Sequence, residues 1–426
     1  MDSTAFLVIA IIAIVVQSFR LFMALFEPGL DYKISAQPTA PLESEEFLRT
    51  LEAITDAKVQ HRCSVEVLTN GEVYYEAELE AIRNARHSVN LEAYIFQKGE
   101  VARDFLVALT ERARAGVEVR MVLDSIGSFA SWESYFKELR EAGGRVCWYH
   151  PVRWSTLPRI NNRTHREIIV VDGRIGFLGG SGFADHWLIS KKNHPRWRDT
   201  MFRAEGDVVA NIQASFVENW LEASGEILSG PDFFPFSEVD NETAALIVDS
   251  SPSMGRSTRA RILYQTLLAS AQKSLLITTP YFLPDRSARA EMVRASKERG
   301  VEIKIIVPGH HSDHLLTRRS SRRLFGDLLR AGAEIYEYEP AMIHTKTMVV
   351  DDLWCVVGST NFDNRSFGLN DEVNLAARDR ALAARLKEDF ARDLKESRAV
   401  SYEDWRRRSI FERMHEWVGW VLERQQ

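Results

Sequence analysis

His344-Thr345-Lys346-Thr347-Met348-Val349-Val350-Asp351 has a counterpart upstream, His165-Arg166-Glu167-Ile168-Ile169-Val170-Val171-Asp172. In both segments His and Asp stand seven positions apart around an apolar run, which predicts a buried strand ending in a turn. Side chains alternate along a strand. His344 and Lys346 therefore share a face, as do His165 and Glu167, while Asp351 and Asp172 fall on the opposite one. The second segment runs on into Gly358-Ser359-Thr360-Asn361 and the first into Gly179-Gly180-Ser181-Gly182.

Outward from these segments the duplication continues. The first half predicts helices over 79–85, 101–115 and 135–142, alternating with strands over 88–96, 116–124 and 144–149. The second half repeats the order, with helices over 260–271, 289–299 and 324–331 and strands over 274–282, 300–308 and 334–338. Gly116-Val117-Glu118-Val119-Arg120 aligns with Gly300-Val301-Glu302-Ile303-Lys304. Alternating helices and buried apolar strands predict an α/β fold. Two duplicated α/β sandwich domains are expected, at 61–240 and 241–400, related by a pseudo-twofold that brings His165 and His344 to one cleft. Before them, Val65–Leu68 suits a strand, Asn70-Gly71 a tight turn, and Glu45–Thr55 a short helix capped by Ser44 within a linker over 29–60.

The chain has 426 residues, a net charge of −6 and 45% hydrophobic residues. Those figures suit a globular protein with a sizeable core and argue against one built mainly to grip nucleic acid. Three widely spaced cysteines, Cys63, Cys147 and Cys355, form no CxxC or Cys/His pattern, which argues against a disulfide scaffold or a zinc site. Residues 1–28 carry an apolar run broken by Gln17, Ser18 and Arg20, read as a single-pass membrane anchor. Arg20 and Lys33 after it place the bulk of the protein in the cytoplasm, at the cell membrane. Residues 401–426 have apolar positions at helical spacing among arginines, which suits an amphipathic helix lying on anionic lipid or docked on the second half. Pro151 precedes His165 by fourteen positions and Pro340 precedes His344 by four. The extra segment, around 152–161, is a lid or lipid-contacting loop or a surface insertion without a role.

Two imidazoles can cleave a phosphodiester without a metal. One attacks phosphorus and the other protonates the leaving oxygen, since both titrate near neutrality. Each ring needs an orienting carboxylate. Asp199, in Trp197-Arg198-Asp199-Thr200, and Glu372, in Asn370-Asp371-Glu372, follow their histidines at similar distances. Lys346 and Asn361 are candidate ligands for phosphate oxygens, with Ser181, Ser359 and Arg198 as further candidates.

The second segment resembles the HxKxxxxD signature of the phospholipase D superfamily, and the first resembles it with Glu167 at the Lys position and Gly182 at the usual Asn position. Asn162-Arg163-Thr164-His165, Gly179-Gly180-Ser181-Gly182-Phe183-Ala184-Asp185-His186-Trp187 and Gly358-Ser359-Thr360-Asn361-Phe362-Asp363 look like bacterial cardiolipin synthases over about 62–400. The resemblance implies two phospholipase D-like domains, with Asp172 and Asp351 counted in the catalytic motif, although their strand face suggests that they pin the turn. It implies His165 as nucleophile, His344 as acid and base, phosphatidylglycerol as substrate, and no metal or organic cofactor. Glu167 would repel phosphate if charged. Three readings follow: an active site with Arg163 or Arg198 lending the charge, an inactive lipid-binding homologue, or an introduced point change. A membrane-tethered nuclease is the alternative from another class.

Overall fold

The computed structural model describes residues 3–26, 34, 40–131, 133–153, 159–192, 194–237, 239, 241, 243–251, 259–409 and 412. The first half contributes β1 (Gln60–Thr69), β2 (Ser88–Ala93), β3 (Glu118–Asp124), β4 (Arg145–Tyr149), β5 (Ile168–Val171), β6 (Ile175–Gly179) and β7 (Thr200–Gly206). The second contributes β8 (Thr243–Ser250), β9 (Ser274–Thr278), β10 (Glu302–Pro308), β11 (Glu334–Tyr338), β12 (Thr347–Val350), β13 (Trp354–Gly358), β14 (Glu372–Arg378) and β15 (Ser397–Ala399).

One sheet holds them all, in the order β15-β11-β10-β9-β12-β13-β14-β8-β1-β7-β6-β5-β2-β3-β4. Outward from the centre, β1-β7-β6-β5-β2-β3-β4 repeats β8-β14-β13-β12-β9-β10-β11 strand for strand, so the duplicated sequence is a duplicated topology. The halves join where β1 pairs antiparallel with β8, with a register shift between Gln60 and Cys63. Helices cover the outer faces through separate cores around Phe105 and Leu109 in the first half and Leu263 and Ile305 in the second. The inner faces share a third core. In it Ile168, Val170 and Leu178 of the first half pack with Val349, Val357 and Leu375 of the second. β5 and β12 are buried at nearly every residue, as expected for uninterrupted apolar runs enclosed on both faces.

Asp172 and Asp351 lie at the far ends of β5 and β12 from the histidines. At about 3.3 Å per residue, seven residues separate each Asp from its His by roughly 20 Å. Each adopts a left-handed conformation (φ 53° and 52°). The Asp172 carboxylate accepts from the N–H groups of Arg86, His87 and Ser88 at 2.9, 2.7 and 2.9 Å. Asp351 accepts from Gln272, Lys273 and Ser274 at 2.8, 2.8 and 2.9 Å. Their counting as catalytic residues is corrected: each pins the turn before β2 or β9. Asp351→Ala leaves three backbone donors without their charged acceptor. It is expected to lower unfolding stability by about 2–4 kcal/mol in urea titrations while the soluble fraction keeps its turnover.

Two other expectations change. Asn70-Gly71 is no hairpin turn. Asn70 (φ 70°) precedes a helix, Gly71–Arg83, because β1 pairs with β7 and β8 rather than with the next segment. The linker is shorter than 29–60. The helix Glu45–Thr55, capped by Ser44, buries Phe47 and Leu51 in the second-half core, and Trp354 Nε1 donates to the Leu42 carbonyl at 2.9 Å.

At the N-terminus residues Ser3–Phe26 form a helix. Its described side chains end at Phe19, and among the described residues no helix is long and apolar enough to cross a membrane. At the other end, Tyr402–Arg406 is a short helix. Trp405 Nε1 donates to the Arg322 carbonyl at 2.6 Å, docking it on the second half. Residues 410, 411 and 413–426 of the expected amphipathic helix lie outside the described residues, as do 154–158 of the longer loop.

Candidate active site

His165 precedes β5 and His344 precedes β12, and both line one cleft of about 340 Å³. Its walls include Tyr94, Trp197, Tyr281 and Asn361.

Short backbone ladders between the halves set the ring orientations. His165 N–H donates to the Asp371 carbonyl, and Asp371 N–H to the Arg163 carbonyl, each at 2.9 Å. Symmetrically, His344 N–H donates to the Arg198 carbonyl at 2.7 Å, and Arg198 N–H to the Met342 carbonyl at 2.9 Å. Each ladder sets a histidine beside the carboxylate of the opposite half. His165 Nδ1 lies 3.1 Å from Glu372 Oε2 and 3.1 Å from the Ser359 carbonyl oxygen. His344 Nδ1 lies 2.9 Å from Asp199 Oδ2. The expectation that each carboxylate serves the histidine of its own half is corrected. Similar spacing along the chain says nothing of which half supplies the partner.

Both Nδ1 atoms face acceptors, so Nδ1 carries the proton in each neutral ring and Nε2 is the nitrogen left for chemistry. Asp199 is wholly buried. Its Oδ2 also accepts from Trp187 Nε1 at 3.0 Å, and its Oδ1 from Thr200 N–H at 2.8 Å. Burial alone would raise its pKa, but the hydrogen bond from His344 and the charges of His344 and Lys346 hold it below the usual carboxylate range. Trp187 and Trp197 pack on His344, with ring centroids 5.5 and 5.3 Å away. That burial, together with the Lys346 charge, pushes the His344 pKa down.

Lys346 Nζ donates to the His344 carbonyl at 2.8 Å and lies 3.0 and 3.2 Å from the ring nitrogens. Burial brings it down to about 8, against the pull of Asp199 and Glu372. Asn361 lines the cleft, and its Oδ1 is buried without a protein partner among the described residues.

Three substrate-binding expectations are corrected. Ser181 Oγ donates to Tyr74 OH at 2.8 Å inside the first-half core. Ser359 Oγ donates to Glu372 Oε2 and accepts from Val373 N–H at 3.1 Å, so it braces the carboxylate. Arg198 is held by Asp393 at 3.0 Å, by the Asp199 carbonyl at 2.6 Å and by Thr200 Oγ1 at 2.8 Å. It cannot lend charge to the cleft. Arg163 lines the cleft, but its guanidinium donates to the Asn162 carbonyl, Ser125 Oγ and the His150 carbonyl at 2.7, 3.1 and 3.0 Å.

Sequence reasoning missed Tyr94, Tyr281, Asp313, Asp363 and Arg365, all lining the cleft. Tyr94 and Tyr281 follow β2 and β9 one position out of repeat register, Tyr281 matching Ile95, so the duplication does not single them out as a pair. Tyr281 OH donates to Asp313 at 2.7 Å. Asp313 lies on a segment with no first-half counterpart in the sequence reading, and nothing there signals it.

A family profile described as "Cardiolipin synthase, PLD-like domain" matches residues 79–196 and 264–394. Cardiolipin synthase 1 of Bacillus cereus is 35% identical over 83% of this chain and 71% of its own length. The major cardiolipin synthase ClsA of Bacillus subtilis is 35% identical over 84% of this chain and 74% of its own length. The crystal structure of a phosphatidylserine synthase from Haemophilus influenzae Rd KW20 shares the fold. Its TM-score is 0.67 at 14% identity, covering 90% of this chain and all of that one. Two half-sites on one duplicated sheet, and likeness along most of the sequence, place the chain in the cardiolipin synthase family of phospholipase D-like phosphatidyltransferases.

Proposed function

We propose that the protein joins two phosphatidylglycerol molecules into cardiolipin and releases glycerol through a phosphohistidine on His165. The observation that carries this is the pair of cross-half carboxylate–imidazole contacts on one cleft. In the first step His165 Nε2 attacks phosphorus. The bond from phosphorus to the glycerol oxygen breaks, and protonated His344 gives that oxygen its proton. Burial and Lys346 push the His344 pKa down, while Asp199 and the arriving phosphodiester anion favour its charged form. In the second step a hydroxyl of the second phosphatidylglycerol gives its proton to His344 and attacks phosphorus. The phosphorus–nitrogen bond breaks, and both rings return to their starting states. Glu372 and Asp199 orient the rings, while Lys346 and Asn361 hold the non-bridging oxygens.

The helix over residues 3–26 is the membrane anchor in this reading. Its side chains at Leu7, Ile9, Ile14 and Phe19 are all more than half exposed, a surface that water disfavours and acyl chains accept. In this reading Arg20 near the end of the helix and Lys33 beyond it favour the cytoplasmic side for the catalytic body, residues 61–400.

Purified protein on phosphatidylglycerol vesicles is expected to form cardiolipin and glycerol in equal amounts. Membranes washed with carbonate should retain the intact chain and release one lacking residues 1–28. Cleavage of single-stranded DNA without cardiolipin would replace this reading with the nuclease.

A further inference from the structure

Glu167 stands where a second lysine would be expected, and its surroundings give it a task. It is 4% exposed and lines the cleft with both histidines. Oε1 accepts from the N–H groups of Tyr94 and Ile95 at 3.2 and 3.3 Å. Oε2 is buried and has no partner among the described residues. The two arginines that might have compensated for the missing lysine are held elsewhere.

The second departure from the motif meets the first in space. A Cβ on Gly182 would come within 2.7 Å of the Ile95 carbonyl oxygen and 3.0 Å of Glu167 Oε1. The asparagine that the second half presents as Asn361 therefore has no room beside Glu167. The first half-site has exchanged a lysine and an asparagine for one carboxyl group.

We propose that Glu167 is a substrate-binding residue that donates a hydrogen bond from its carboxyl to a non-bridging phosphoryl oxygen, opposite Lys346. This role rests on the phosphatidyl transfer proposed above. Oε1 already takes two backbone donors, so the acid proton belongs on Oε2, the oxygen without a partner. Burial holds the group in its neutral form, pushing its pKa well above the usual carboxylate range against the two N–H donors and Lys346. Among the described residues, the titratable groups that interact with it are Lys346, Glu92, Tyr75 and Tyr94, and His165 lines the same cleft. Of these Glu92 also favours the neutral form, and Lys346 opposes it. A neutral acid can donate to phosphate where a carboxylate would repel it.

The sign of the pH effect follows. The donor is present below the raised pKa of Glu167 and is lost as pH rises through it.

The test compares cardiolipin formation from phosphatidylglycerol vesicles across pH for wild type, Glu167→Gln, Glu167→Met and Glu167→Lys, with melting curves for each. Gln keeps the acceptor for both N–H groups and supplies its own donor. It is expected to retain activity within roughly tenfold of wild type and to keep only the part of the alkaline fall that belongs to Lys346, which burial brings down to about 8. Met removes the donor at similar size and should cost about 100-fold or more, the usual loss for one donor to a developing oxyanion. Lys puts an ammonium against two N–H donors and should be slower than wild type. Met at wild-type rates, Gln as slow as Met, or Lys faster than wild type would each overturn the role. If Met fails to fold, Gln and the two pH profiles still decide. A silent wild type beside an active Lys variant overturns this role and leaves the function standing. Silence in all four removes the function, and this role with it.

Discussion

His165→Ala is expected to abolish cardiolipin formation, a loss of about 10,000-fold or more. Among the described residues of the first half-site, no other side chain that lines the cleft is a competent nucleophile. Burial favours the neutral acid at Glu167, a poor nucleophile, and holds Tyr94 protonated, its pKa raised. Phosphatidylglycerol labelled at phosphorus should leave acid-labile, base-stable label on the wild-type protein, and none on His165→Ala. His344→Ala should differ in kind, because the attack remains possible while the leaving glycerol goes unprotonated. Slow labelling of His165 is expected there, with overall turnover down by about 100- to 10,000-fold. Label on His344 in the His165→Ala protein would reverse the two roles.

The second large effect separates the carboxylates. Glu372→Gln is expected to slow labelling of His165 by about 1,000-fold, because an amide that offers its N–H to Nδ1 favours the wrong tautomer for attack by Nε2. Asp199→Asn should cost about as much in overall turnover by disturbing proton transfer through His344, while His165 still accumulates label. The assignment comes from the distances between halves, 3.1 Å for Glu372 to His165 and 2.9 Å for Asp199 to His344. Pairing within each half would exchange the two phenotypes. The pre-steady-state rate of label uptake in the two variants decides between them.

Much of the fold was legible because the chain carries it twice. The strand over 334–338 and the helix over 45–55 occupy the expected residues, the strand through its β-prone Ile335, Tyr336 and Tyr338 and the helix through its serine cap. Strand alternation also put Asp172 and Asp351 away from their histidines, which is where their backbone donors lie. The Asn70-Gly71 reading failed because a local turn signal cannot tell a hairpin from a helix start when the pairing strands are distant in sequence.

The site was legible in its residue types and less so in its contacts. Ser181 and Ser359 stand one position out of register, Ser181 matching Thr360 and Ser359 matching Gly180, and one serves a tyrosine in the core while the other braces a carboxylate. Hydroxyls pair with whatever packing brings near, and packing between halves leaves no mark in either half. Arg198 adjoins Asp199 in sequence, but its guanidinium pairs with Asp393. Its neighbour in the chain announced the site, and its own side chain serves the framework.

The exchange of partners across the β1–β8 seam has a consequence for synthesis of the protein. A ribosome that has completed only the first 240 residues has made a nucleophile whose orienting acid, Glu372, does not yet exist. Such a fragment lacks both the second histidine and the Glu372 and Ser359 oxygens that face His165 Nδ1. Catalytic competence arrives with the last third of translation, when the strand bearing Glu372 closes against Thr164. On the proposed function, attack on lipid by a half-built chain would thereby be avoided without any separate inhibitor.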